Sequence, residues 1–98
     1  MRRFALSHLA RTDLAEIREY VARDKRAAAR RLVSAFYERF RLSADFPELG
    51  EKRDDLRPDL RSFSVGSYVI FYLPDVHGVR IARVMHGARN ITVFSNFG

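Results

Sequence analysis

Cysteine is absent from this 98-residue chain, and that omission removes disulfides, thiolate catalysis and cysteine-ligated zinc from consideration. It is also what a reducing compartment permits, so a cytoplasmic location is expected. Long apolar runs are missing too. The opening MRRFALSHLARTDLAE is basic at its start but lacks the apolar stretch of a signal sequence, and no segment approaches membrane-spanning length. Lysine is scarce: Lys25 and Lys52 stand against sixteen arginines. There is no polybasic tail, internal repeat, low-complexity tract or composition shift, so residues 1–98 read as one small domain.

The charge that is present is mostly arginine. A net charge of +6 favours acidic partners, whether nucleic acid, an acidic peptide or an acidic protein surface. Residues 1–49 carry eleven basic and seven acidic side chains and residues 50–98 carry seven and five, so the excess is spread over both halves. Arginine favours planar, bidentate recognition of carboxylate or phosphate, although a GC-rich coding sequence produces the same bias.

Three strand-like runs follow one another between Leu60 and His86: LRSFSV, YVIFYL and VRIARVMH. Gly66-Ser67 separates the first two, a two-residue connection typical of a hairpin. Pro74, Asp75, His77 and Gly78 make a longer turn before the third. The run Tyr68–Leu73 is apolar throughout and belongs in the middle of a sheet, while Arg61, Arg80 and Arg83 on the outer runs place guanidinium groups along an accessible face.

Before this meander, Arg3 to Leu9 reads as a first strand. Thr12 or Asp13 is the expected N-cap of a helix of about three turns, with Leu14, Ile17 and Val21 at helical spacing. Asp24 and Lys25 break it from a second, amphipathic helix carrying Ala29, Leu32, Val33, Phe36 and Phe40 on one side and ending near Phe46, ahead of Pro47. The charged stretch Pro47 to Asp59 reads as a loop over the sheet edge. The fold class that follows is α+β, in the order strand, helix, helix, strand, strand, strand. A helical hairpin packs on one face of a small antiparallel sheet and leaves the other face partly open.

The segments LSHLARTDLAEI, FPELGEKRDDLRPDLRSFSVGSYVIFY and VRIARVMHGARN together resemble the ParE branch of the RelE/ParE toxin superfamily over almost the whole chain. The resemblance rests on Asp13-Leu14, on Pro47 to Gly50, on the block Leu56 to Tyr72 with Arg61 and Gly66, and on Arg83 to Arg89. It implies the RelE/ParE-like fold and the toxin component of a type II toxin–antitoxin system. That component would be neutralised by a ParD-like antitoxin, with DNA gyrase as the best-known family target and DNA contacted only through the antitoxin complex. The alternatives are a ribosome-dependent mRNA endoribonuclease of the RelE type, or a detoxified member serving only antitoxin-dependent autoregulation. The ribonuclease cousins place several Lys and Arg residues with a His, Tyr or Glu on the open sheet face. Here Ser67 lies close to where an arginine would be expected, and no lysine follows Lys52.

The expected reading is therefore a non-enzymatic protein without catalytic residues, cofactor or metal. Tyr20 and Tyr37 are amphipathic side chains beside the helical stripes, suited to an antitoxin interface or to an ordinary core boundary. Arg61 and Arg83 either grip an acidic antitoxin tail through forked hydrogen bonds or pair with carboxylates such as Asp54, Asp55 or Asp59. Adjacent acids at Asp54-Asp55 read as solvated rather than metal-binding. His86, Arg89, Phe94 and Phe97 are the expected target-binding residues, His86 having the alternative of a hydrogen-bonded structural histidine and the aromatic tail that of a segment covering the core. Asn90 stands where many relatives have Asp.

Overall fold

Ser7 decides where the chain stops being strand and becomes helix. In the computed structural model, which describes residues 2–87, β1 covers Arg3–Leu6 and α1 covers His8–Asp24. The Ser7 hydroxyl accepts the Ala10 N–H at 2.9 Å, satisfying a donor that every helix start leaves unpaired, and donates to the Ala82 carbonyl at 2.7 Å. The N-cap is thus Ser7 and not Thr12 or Asp13, and α1 runs to 17 residues, about five turns instead of three. Thr12 sits inside the helix with its hydroxyl bonded back to the His8 carbonyl, and Asp13 is buried. Helix α2, Arg26–Asp45, begins after Lys25 alone and is capped at Phe46, whose N–H donates to the Leu42 carbonyl. The expected break and stop both hold.

The sheet is larger than the sequence suggests, and it is mixed. Its strands are β1, β2 (Glu51–Lys52), β3 (Arg61–Val65), β4 (Tyr68–Asp75) and β5 (Gly78–His86), in the spatial order β1-β5-β4-β3-β2. The last three strands form the expected antiparallel meander with β4 at the centre. β1 joins it parallel to β5, Arg3 opposite Gly78 and Leu6 opposite Ile81, so the sheet is not purely antiparallel. That pairing needs glycine: a Cβ at Gly78 would overlap the Arg3 carbonyl oxygen. Gly66 takes φ +58° in the β3–β4 turn, as its place in a two-residue connection requires. Pro74 belongs to β4 and not to the turn, because β3 stops opposite Tyr72 and leaves Pro74 paired with β5 alone.

Two apolar clusters hold the layers together. The hairpin side contains Ala10, Leu14, Phe36, Phe40, Ile70, Tyr72, Val79, Ile81 and Val84. The other face carries Leu60, Phe71, Ala82 and Met85, with Leu56, Val69 and Leu73 against them. The stretch expected to be a loop over the sheet edge does two other things. Glu51–Lys52 pairs with Ser62 and Arg61 as a short edge strand, and Leu56 and Leu60 then cover part of the second face. Asp54 accepts the Asp59 N–H, and Asp55 pairs with Arg53, whose guanidinium lies 5.7 Å from the Phe71 ring centroid.

One buried phenol anchors the link between helices and sheet. Tyr72 donates to the Pro47 carbonyl at 2.8 Å and accepts the Gly50 N–H at 2.7 Å. Burial pushes its ionisation above the ordinary value of 10.0. Because the folded-state value is the raised one, its contribution is complete below the unfolded-state pKa and is lost as pH rises through the folded one. Tyr72→Phe leaves the buried Gly50 N–H and the partly buried Pro47 carbonyl without this partner and should cost about 1–3 kcal/mol in urea unfolding at neutral pH. The wild-type advantage over the variant should shrink in strongly alkaline buffer; an advantage that grows there would contradict this account.

Candidate functional site

β1 ends at Leu6, so beyond Ile81 the outer edge of β5 has no strand beside it among the described residues. A bulge lies in the same place: Phe71 pairs with Arg83 and Tyr72 with Ile81, leaving Ala82 as the extra residue. Helix α1 meets this edge with polar side chains. Ser7 takes the Ala82 carbonyl, and Asp13 takes the Val84 N–H at 2.9 Å while holding Arg83 through two bonds of 2.8 and 3.0 Å. Side-chain exposure is 9% for Asp13 and 16% for Arg83. The hydrogen bonds it donates to Asp13, and then the charges of Asp13 and Glu16, hold the Arg83 guanidinium above its ordinary pKa against the opposing effect of burial.

Above this pair, α1 and the end of β5 enclose an open groove of about 790 Å³. One wall is α1, with Glu16, Ile17, Glu19, Tyr20 and Arg23; the other is Ser67, Tyr68, Val84, Met85 and His86. Tyr20 is 69% exposed, a large apolar body offered to solvent. His86 meets the Tyr68 ring edge-on at 5.5 Å, and Tyr68 in turn meets Phe36 in the core at 5.6 Å. Arg23 reaches Glu19 at 3.8 Å, and Asp13 balances Arg83. Glu16 also acts on Arg83 through its charge. The three carboxylates Asp13, Glu16 and Glu19 outnumber the two arginines, Arg23 and Arg83, so the groove mixes apolar and polar lining with a small excess of negative charge.

The four residues expected to bind an antitoxin do not form one patch. Tyr20 lines the groove and Arg83 lies in the pair beneath it. Tyr37 packs at the core edge against Phe4 and Phe40, with ring centroids at 5.7 and 5.4 Å. Arg61 donates to the Gly50 carbonyl at 2.8 Å and, at 3.4 Å, to that of Glu48, steadying the loop that Tyr72 holds. The carboxylate partner of Arg83 is Asp13 and not Asp54, Asp55 or Asp59. Of the expected target-binding residues, His86 is on the groove wall, whereas Arg89, Phe94 and Phe97 lie outside the described residues. Sequence reasoning missed Asp13 and Glu16, although Asp13, Glu16, Ile17 and Tyr20 share the i, i+3, i+4, i+7 spacing of one helix face.

A family model described as ParE toxin of type II toxin-antitoxin system, parDE, matches residues 4–91. The chain belongs to the ParE toxin family. It is 43% identical over 65 residues to Toxin ParE3 of Caulobacter vibrioides, a stretch amounting to 66% of this chain and 61% of that relative. A solved structure described as the chromosomal ParDE TA system from P. aeruginosa superposes with a TM-score of 0.72 at 18% identity, covering 88% of this chain and 96% of that one. This likeness shows the fold: two helices against a five-stranded mixed sheet. No helix among the described residues of this ParE-family chain is long and apolar enough to cross a membrane.

Asp13 ties α1 to β5 beneath the groove, so its removal should be felt globally. Asp13→Ala strands both the Arg83 guanidinium and the Val84 N–H. The expected loss is about 3 kcal/mol, the low end for breaking a buried pair because Arg83 keeps some contact with water. Asp13→Asn retains an acceptor and should lose less. Urea denaturation of the two variants checks this, and equal losses would mean that a neutral acceptor at position 13 contributes nothing and that the charge of Asp13 carries the whole effect.

Proposed function

We propose that the chain acts by binding: it inhibits growth as a toxin, its target is DNA gyrase, and a ParD-like antitoxin silences it by occupying the groove between α1 and β5. Membership of the ParE family and the fold shared with a ParDE system support the toxin–antitoxin setting. The observation that carries the mode of action is the placement of Tyr20 and His86 on opposite walls of one groove. Tyr20 is the antitoxin contact and His86 the target contact, so an antitoxin segment seated there excludes the target by competition.

The groove's chemistry favours a protein occupant. Ile17, Tyr20, Tyr68 and Met85 supply apolar and aromatic surface for an amphipathic segment. Glu16 stands on the wall facing His86, and the carboxylates around the groove outnumber the arginines by three to two, a balance that opposes an approaching RNA phosphate. A ribonuclease needs the opposite field, with cations placed to stabilise the charge that develops on phosphorus-bound oxygen. The chain accordingly breaks no bond in its target.

Expression without antitoxin should arrest growth, and purified protein should trap gyrase in a DNA-cleavage complex without cutting mRNA on ribosomes. Tyr20→Ala should leave folding intact and weaken antitoxin binding at least tenfold, about 1.4 kcal/mol or more. Titration calorimetry measures the binding loss, and the gyrase assay should weaken in parallel because the groove is shared. Ribosome-dependent mRNA cleavage that disappears in His86→Ala would replace this reading with the nuclease one.

A further inference from the structure

The outer side of the helical hairpin carries a second charged surface, which touches the groove only at Glu19. Arg18 of α1 and Arg26 and Arg30 of α2 surround a shallow depression floored by alanines, and Arg30 continues into a neighbouring one with Arg31. All four guanidinium groups are exposed, and no carboxylate among the described residues lies within ion-pairing distance of them. Two acids share the surface, Glu19, which Arg23 already engages at 3.8 Å, and Glu38.

We infer that this arginine face binds the phosphate backbone of duplex nucleic acid, independently of sequence and of any antitoxin. Charge complementarity selects a polyanion, and the character of the surface between the arginines selects which one. Protein partners are held by large apolar anchors seated in pockets. The large hydrophobic residues exposed among the described residues, Leu9, Tyr20, Leu42, Phe46, Leu49 and Val76, line neither depression. Alanines between the arginines offer little area to bury but let a backbone come close, and a planar guanidinium fork matches two phosphate oxygens. Among the described residues the same surface has no aromatic ring on which an unpaired base could stack, which disfavours single strands. Among the described residues it also lacks the Asn and Gln side chains that read adenine, and arginines that reach phosphate rather than guanine edges hold a duplex without regard to sequence.

The test is fluorescence anisotropy of the full chain against a short labelled duplex of mixed sequence over a series of salt concentrations. Replacing Arg18, Arg26, Arg30 and Arg31 by Gln should weaken binding more than about tenfold at low salt and reduce the log–log salt slope by roughly 3–4, as loss of four phosphate contacts requires. Replacing the exposed Arg2, Arg3, Lys52 and Arg80 by Gln removes the same net charge from elsewhere and should change the slope far less. An Arg→Lys set at the four face positions keeps the charge without the fork. It should keep most of the slope while losing part of the affinity, and it provides a folded comparison should the Gln set prove unstable. Equal losses in the face and control sets would reduce the effect to global charge and overturn the inference. So would tighter binding to single strands than to duplex, or a face set that loses a labelled polyglutamate peptide while retaining the duplex. Growth arrest and gyrase trapping are read separately, so failure here leaves the groove's function standing.

Discussion

Among the described residues the outer edge of β5 loses its strand neighbour halfway along, and the candidate site is organised around how that edge is satisfied. A four-residue β1 pairs only as far as Ile81. Backbone groups beyond that point would be left without partners in a largely buried place, at a cost comparable to a lost hydrogen bond for each. Ser7 and Asp13 supply the partners from α1. Their reach fixes how closely the helix approaches the sheet and leaves the space above them open as a groove. The Ala82 bulge serves the same arrangement. It shifts the alternation of β5, so that Ile81 and Val84 both face the hairpin while Ala82 and Met85 both face away.

At the opposite side of the sheet, a different device holds the chain between helix and strand. Tyr72, from the central strand, grips Pro47 and Gly50, and Arg61 adds bonds to the same loop. Residues that look like surface recognition groups in the sequence are thus spent on internal order. This accounts for the scatter of the expected antitoxin contacts. Arg61 and Arg83 are both forked donors fully suited to a carboxylate-bearing tail, yet one is engaged by backbone carbonyls and the other by Asp13. The sequence shows which side chains can form such bonds, but the choice of partner depends on contacts up to 70 residues apart along the chain.

What was legible followed from local rules. Periodicity and turn residues located both helices, the break at Lys25, the β3–β4 hairpin and the central place of the Tyr68 run. Three features were hidden for separable reasons. Ser7 precedes two residues, His8 and Leu9, that continue an apparent strand, and its capping role depends on geometry that composition does not reveal. The parallel union of β1 with β5 is non-local and leaves no sequence mark except Gly78, which also reads as an ordinary turn glycine. The bulge at Ala82 is visible only as hydrophobic spacing that slips from two to three between Ile81 and Val84, too short a signal to separate from noise. At the candidate site, Tyr20 and His86 could be picked out individually, but their meeting across one groove could not, because that depends on the α1–β5 junction.

Net charge misleads about this molecule when it is taken as a uniform property. A total of +6 describes the outer hairpin, where Arg18, Arg26, Arg30 and Arg31 outnumber nearby acids. It misdescribes the groove, where Asp13, Glu16 and Glu19 stand against only two arginines, Arg83 and Arg23, each paired with one of those acids. At a Debye length of about 8 Å in physiological salt, a ligand within the groove responds to these nearest charges and is largely screened from the remote arginines. A partner approaching from solution therefore meets two surfaces of opposite preference. One has the aromatic anchors and small excess of carboxylates that suit an amphipathic polypeptide with basic residues, and the other has the unpaired cations that suit an anionic backbone. The two surfaces meet at Glu19, which lines both, so the charge of that side chain and of its partner Arg23 is felt from either side.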